Sequence, residues 1–429
     1  MQRIYVNMKK ITSRDDILSS NEFEKKAAAL YGSADGSKNR YAALYDAHSC
    51  NFGLNEGFFF SSPGRIEVAG NHTDHNHGMV IAASVGLDII AAVYPTEGTV
   101  IRIESEGFGK DEIDISDLSV HEDEKFTSAA IVRGVAAAVV ENGGKVGGFT
   151  AYMISDVPGG SGLSSSAAYE NMIGTIFNAY YNDNKFSHVD IARMSQRAEN
   201  RHFGKPCGLM DQIACAVGGL VYIDFKDPAA PVVERTDLHL EGYRLCIIRT
   251  GGSHADLNDD YASVPAEMKA VASHFGKEVL RDISEAELVS ELPALREMLG
   301  DRAILRALHF MSENKRVAKA MTAAAAGNTE AFLSEVNASG TSSAMALQNY
   351  FTCKAPAEQG ITLAVTLARE IMGGKGAARV HGGGFAGTAQ AFVPEAIFEE
   401  FVSVMESAFG KGAVVALDIR NESALRITN

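Results

Sequence analysis

The chain has 429 residues, 46% of them hydrophobic and 22% charged, a soluble globular composition too long for one ordinary core, so two domains are expected. Its 39 basic and 54 acidic residues leave a net charge of −15, which excludes the broad basic face of a nucleic-acid binder but not a local anion site. The five cysteines (Cys50, Cys207, Cys215, Cys246, Cys353) form no CxxC pair and read as free thiols of a reducing cytoplasm. The opening "MQRIYVNMKKITSRDD" lacks the apolar run of a signal peptide. The most apolar stretch, Gly78 to Tyr94, is interrupted by Asp88 and is shorter than the roughly 20 residues that span a bilayer. A cytoplasmic protein is expected, with neither nucleic acid nor membrane as partner.

In chain order, residues 1–57 read as a polar extension packed on the first domain, with an amphipathic helix near Asn21–Tyr31. "GFFFSSPGRIEVAG" then reads as a strand, followed by a polar loop and two strands, Met79–Val85 and Leu87–Tyr94, with a turn at Gly86. Strand signals recur at Thr99–Glu104 and Phe149–Ile154, and helical periodicity at Thr127–Asn142 and Ala167–Tyr181. The proline-bearing connection "FKDPAAPVV" leads to a new strand, "YRLCIIRTG", after which the chain is mainly helical to about Met372. A strand–helix–strand pattern closes it. The domains are accordingly placed at 58–235 and 236–429.

Between strand Phe149–Ile154 and the next helix lies "PGGSGLSSSAAYENM". Glycines at this density cost backbone entropy. A tight turn or a linker would explain them. So would a backbone that wraps an anion at a helix start, where free N–H groups and the helix dipole meet it. The loop is neither a Walker A sequence, since no GK[ST] follows, nor a dinucleotide fingerprint. Two further glycine-bearing polar loops, "SSPGRIEVAGNHTDHNHG" and "RVHGGGFAGTAQAF", point to one site built between two domains. Within the first, His72, Asp74, His75 and His77 also allow a metal cluster.

These three stretches, with "RAENRHFGKPCGLMDQIACAVGG" and "TGGSHADLNDDY", resemble the GHMP small-molecule kinases and, among them, the galactokinases, over about residues 58–429. The resemblance implies an α+β, two-domain fold. Its N-terminal domain would be like ribosomal protein S5 domain 2 and its C-terminal domain ferredoxin-like, with the active site in the cleft. It implies ATP and Mg²⁺ as cofactors, a sugar as substrate, and a monomer or a dimer. Asp211 of MDQ is the implied catalytic aspartate, with Arg65 of PGR beside it. Gly159, Gly160, Ser161, Gly162, Leu163, Ser164, Ser165 and Ser166 would bind the ATP phosphates. Ser166 and Glu199 would hold the metal. Asn71, His72, Asp74, Gly208 and Tyr261 would face the sugar, and Gly382, Gly383 and Gly384 would close the site.

The same residues suit the chemistry by themselves. Phosphoryl transfer needs charge neutralisation, hard oxygen ligands for a metal, and a carboxylate for the acceptor's proton. A cation beside Asp211 lowers its pKa, so it would orient the hydroxyl and take the proton late. Departures from the family pattern gather near the sugar. Asn71 stands where a glutamate precedes HTD, Glu67 where an asparagine is usual, and the basic residues that follow the tyrosine are absent. Galactose is therefore the first expectation as acceptor of the phosphoryl group at its anomeric hydroxyl. An N-acetylhexosamine, arabinose or a non-catalytic sugar and ATP sensor are the alternatives.

Overall fold

A computed structural model describes residues 13–53, 58–159, 162–236, 238, 240–252 and 257–428. Three helices, α1 (Arg14–Leu18), α2 (Asn21–Tyr31) and α3 (Asp35–Phe52), precede strands β1 (Phe58–Ala69), β2 (Met79–Pro95), β3 (Val100–Ser105) and β4 (Lys110–Asp114). Helix α4 (Ser128–Glu141) leads to β5 (Phe149–Ser155), followed by α5 (Ser165–Tyr181), α6 (His188–Ala198) and α7 (Met210–Val217), then β6 (Leu220–Asp224) and β7 (Val232–Thr236). The second half comprises β8 (Tyr243–Arg249), α8 (Asn258–His274), α9 (Glu285–Ser290), α10 (Leu292–Ala325), α11 (Thr329–Ser342), α12 (Gly360–Met372), β9 (Ala377–Val380), β10 (Thr388–Pro394), α13 (Phe398–Phe409), β11 (Val414–Leu417) and β12 (Leu425–Arg426).

The larger sheet runs β12-β1-β2-β5-β3-β4, with β6 on β2 and β7 on β6. Among the described residues its one parallel pair is β3 with β5, the pair joined through α4, as a parallel crossover requires. Successive residues of β1 face opposite sides of the sheet. Phe60 enters the core with Phe149, Ile173 and Phe177. Phe59 enters a second core with Phe23, Tyr41 and Leu44 of α2 and α3. Burial on both faces explains why "FFF" reads as an unbroken apolar run. The smaller sheet is antiparallel, ordered β11-β8-β10-β9. Among the described residues no helix is long and apolar enough to cross a membrane.

Two expectations change. Met79–Val85 and Leu87–Tyr94 are one continuous strand, β2, with no turn at Gly86. Pro63 pairs with Asp88 and Arg65 with Ser84, so residues 85–87 bulge opposite the single residue Gly64. A glycine inside a strand marks such a bulge as readily as a turn, and the Gly86 N–H donates to the Asp418 carbonyl at 2.8 Å. The end of the chain also leaves the second half: Ile419 bridges Val85, and β12 pairs with the edge of β1.

The interruption at Asp88 has a structural cause. Asp88 is fully buried and accepts hydrogen bonds from Arg40 of α3, Ser61 of β1, Tyr31 of α2 at 2.7 Å and Arg420 at 3.1 Å. It joins the N-terminal helices, the sheet and the C-terminal tail. Burial pushes its carboxyl up, but the Arg40 and Arg420 charges and the hydroxyl donors hold it below the usual value. Its contribution is present above the unfolded carboxylate pKa, about 4, and is lost as pH falls through the lower folded value. Asp88→Asn is expected to destabilise the protein by about 3–5 kcal/mol, because the buried guanidinium of Arg420 loses its counter-charge and Arg40 is left with Asp156 alone. Urea denaturation at pH 7 checks this; a loss below about 1 kcal/mol would show that the cluster is not what ties these segments together.

Candidate active site

Arg65 stands on β1 next to the bulge, and Asp211 opens α7. The guanidinium donates to both Asp211 oxygens, Nε to Oδ1 at 2.7 Å and Nη2 to Oδ2 at 2.6 Å. Such a bidentate pair is the strong form of the interaction. Arg65 Nη1 also donates to the Gly162 carbonyl, and its backbone N–H to Leu163 O at 3.0 Å. One residue therefore straps the glycine–serine loop to the aspartate. Ser164 takes a left-handed backbone, φ 56°, and its hydroxyl donates to Asp211 Oδ2 at 2.5 Å. Helix α5 thus starts without a side-chain cap, leaving first-turn N–H groups at Ser165 and Ser166 for another acceptor. Gly159 precedes them on the same loop, while Gly160 and Ser161 lie outside the described residues. Burial pushes the Asp211 carboxyl up, but the Arg65 charge and its hydrogen bonds, with Ser164, bring it below the ordinary value.

Beside this pair, Glu199 closes α6, 3% exposed. Gln212 Nε2 donates to Glu199 Oε2 at 2.9 Å and to Glu170 Oε2 at 3.1 Å, and Lys205 Nζ lies 3.5 Å from Glu199 Oε1. Glu170 sits one turn after Ser166 on α5, on the same face. Burial and then the Glu199 charge push its carboxyl well above the usual value. Oε1 of Glu170 and Oε1 of Gln212 are buried without partners. Burial likewise raises the thiols of Cys207 and Cys215, which suits packed groups rather than nucleophiles.

The opposite wall mixes both halves of the chain. His72 Nε2 lies 2.9 Å from the Gly383 carbonyl. Tyr261 of α8 donates to Gly384 O at 2.8 Å and stacks edge-on to Phe385. Asp74 borders Gly208, where an added Cβ would stand 2.2 Å from Asp74 Oδ2. Burial raises the Asp74 carboxyl, His72 opposes this, and the Asp211 charge adds to it. Asn71 is fully buried. Its Nδ2 donates to Glu67 Oε1 and Gly382 O, both at 2.8 Å, while its Oδ1 accepts from Asn349 at 2.7 Å and Ser343 at 3.3 Å. His75 is exposed and His77 half-buried. Among the described residues no three His, Cys, Asp or Glu side chains are placed to hold a metal.

Two family profiles match the chain. "GHMP kinases N terminal domain" covers residues 130–219 and "Galactokinase galactose-binding signature" residues 46–95. Galactokinase of Streptomyces coelicolor is 32% identical over 384 residues, 88% of this chain and 93% of that protein. The chain belongs to the galactokinase family. Galactokinase of Glaesserella parasuis is 31% identical over 335 residues, 78% of this chain and 84% of its own. The structure of Lactococcus lactis galactokinase complexed with galactose superposes with TM-score 0.77 at 24% identity, covering 89% of this chain and 99% of that one. Methanococcus jannaschii mevalonate kinase follows at TM-score 0.60 and 12% identity, covering 85% and 98%. The fold is that of the GHMP kinases, a mixed eight-stranded sheet and a four-stranded one.

In this galactokinase-family chain the fold gathers Arg65, Asp211, Ser164 and Gly162 on one side, and His72, Asn71, Tyr261 and Gly382–Gly384 on the other. Sequence reasoning assigned no role to Glu170, Gln212, Lys205, Arg379 or Asn349. For Glu170 the signal was available, four residues after Ser166 on one helix. Gly384 has φ 81°, and a Cβ there would lie 2.2 Å from the Asn349 carbonyl; Gly382 has φ 67° and open space. Gly384→Ala should therefore cost more than about 1 kcal/mol, whereas Gly382→Ala carries only the backbone term of about 1 kcal/mol or less. Chemical denaturation of the two variants gives the order; an equal or reversed cost would contradict this packing.

Proposed function

We propose that this protein transfers the γ-phosphoryl group of ATP to the anomeric hydroxyl of D-galactose, giving galactose 1-phosphate and ADP. The observation that carries this reading is the Arg65–Asp211 pair beneath the uncapped start of α5. It sets a carboxylate, a cation and a set of free N–H groups around one point, the arrangement phosphoryl transfer requires. The protein acts on small molecules in the cytoplasm, as a monomer or a dimer.

Asp211, ionised at neutral pH, accepts a hydrogen bond from the sugar hydroxyl and holds its oxygen in line with the phosphorus. A carboxylate kept acidic by Arg65 is a weak base, so it takes the proton late, as a loose transition state permits. Gly159 and Gly162–Ser166 would present backbone N–H and hydroxyl donors to the phosphates, with Gly160 and Ser161 assigned to the same loop by sequence. His72, Asp74, Gly208 and Tyr261 face the sugar, with Asn71 in the wall behind them, and Gly382–Gly384 shield the reaction from water. Hard oxygen donors and partnerless buried oxygens on Glu170 and Gln212 fit Mg²⁺, which Ser166 and Glu199 would hold. When bound, Mg²⁺ would neutralise charge on the ATP phosphates.

The departures at Glu67 and Asn71 keep another sugar as the second reading. A sensor is disfavoured by the complete set "GLSSSAA", Glu199 and Asp211. ADP release across galactose, N-acetylhexosamines and arabinose tests this, with galactose expected to give the highest kcat/KM; release with none of them would contradict a kinase. Asp211→Asn should lower kcat by at least about 100-fold while leaving ATP binding unchanged, and near-normal turnover would remove Asp211 from the mechanism. In the wild type, the acid limb of kcat/KM assigned to Asp211 is expected below the ordinary carboxylate value of about 4, since its depressed pKa keeps the working form ionised until then. A limb that moves with Asp211 variants near pH 6 would contradict the Arg65 pairing.

A further inference from the structure

The two departures from the family pattern touch each other. Glu67 and Asn71, four residues apart, share the 2.8 Å hydrogen bond from Asn71 Nδ2 to Glu67 Oε1. Asn71 has no hydrogen-bonding capacity left for a substrate. Both Nδ2 protons and two Oδ1 acceptor sites are engaged by Glu67, Gly382, Asn349 and Ser343. Its carbonyl accepts from His309 at 2.9 Å, and no part of it reaches solvent. A ligand could engage the amide only by breaking bonds it already makes.

Glu67 differs. Its Oε1 also accepts from Arg379 Nη2 at 3.0 Å, so both protein donors to the side chain converge on one oxygen. Oε2 has no hydrogen-bond partner among the described residues, and the side chain keeps 6% exposure. The charges that reach this carboxylate are Arg379, His72 and Arg65, two of them at the proposed transfer site. The Glu67 backbone N–H faces His381 Nε2 at 3.4 Å, on the rim where His381 also borders Gly162 of the phosphate loop. A carboxylate held through one oxygen, with the other unpartnered and the Arg65 and His72 charges within reach of the group, can accept a hydrogen bond from a hydroxyl.

We infer that Glu67, rather than Asn71, supplies the carboxylate that recognises a sugar hydroxyl, and that Asn71 serves to hold Glu67 in place. The acidic group is thereby moved from the loop onto strand β1. This assignment rests on the proposed function. It makes Glu67 a specificity-determining residue that the match to the family motif does not reveal.

A cycle combining an enzyme change with a substrate change isolates the contact. Wild-type protein and Glu67→Gln are compared with galactose and with the four monodeoxygalactoses lacking the hydroxyl at C2, C3, C4 or C6, using MgATP. Glu67→Gln is expected to lower kcat/KM for galactose roughly 10- to 100-fold, through KM more than kcat. For the one deoxy sugar that lacks the partnered hydroxyl, the loss should shrink to less than about 3-fold. An unchanged KM for ATP shows that the fold survives, and Glu67→Asp carries the same cycle if Glu67→Gln does not fold. An equal loss with all five sugars, or no loss with galactose, overturns the assignment. Wild-type protein that releases no ADP with galactose overturns the proposed function itself, and this assignment with it.

Discussion

The bidentate pair between Arg65 and Asp211 is the constraint on which the rest of the site depends. Arg65 is 6% exposed, and a buried guanidinium is tolerated only when its charge and its donors are met. Here the donors go to Asp211 on α7 and to the carbonyl of Gly162, while its main chain meets Leu163. Strand, loop and helix are locked to one another by a single side chain. The irregularity of β2 opposite Gly64 gives the strands this local form, and a Cβ on Gly64 would make a tight contact, 3.0 Å from Leu163 O. The same pairing depresses the Asp211 pKa, so the arrangement favours positioning over strong base catalysis.

The second half of the chain completes the wall through a buried polar network. Arg379 of β9 is fully buried; it donates to Glu67 and to the Val68 carbonyl at 2.7 Å. Glu313 of α10, also fully buried, accepts from the Gly70 N–H at 2.9 Å and from Arg316 at 2.7 Å. The turn from Gly70 to Asp74 is thus fixed from outside its own sheet. Arg379 Nε and Arg316 Nη2 remain buried without partners, so the network holds through the bonds just named, which tie the shape of this wall to the docking of the two sheets.

The glycine-bearing loops and the long helices were legible in the sequence because their signals are local. Helix periodicity marks α2 and α5, and small residues mark places where backbone must approach backbone. Asp88 was legible only as an interruption, because its partners Arg40 and Arg420 lie 48 and 332 residues away. Gly86 was read as a turn because a bulge and a turn ask the same freedom of one residue. Asn71 and Glu67 were visible as two separate anomalies; their contact is a property of the folded turn, and the saturation of Asn71 by Asn349 and Ser343 could not be read from spacing. Lys205 and Gln212 become neighbours of Glu199 only in the fold, whereas Glu170 was legible from its place four residues after Ser166 on one helix.

The identity of the product tests the account most directly. Protein, MgATP and galactose are incubated and the product is examined by phosphorus NMR with proton coupling. The account predicts one phosphate monoester whose phosphorus couples to the anomeric proton of galactose. Coupling to the C6 protons instead, or phosphate released without any sugar ester, would contradict a site in which Arg65 and Asp211 align the anomeric hydroxyl with ATP.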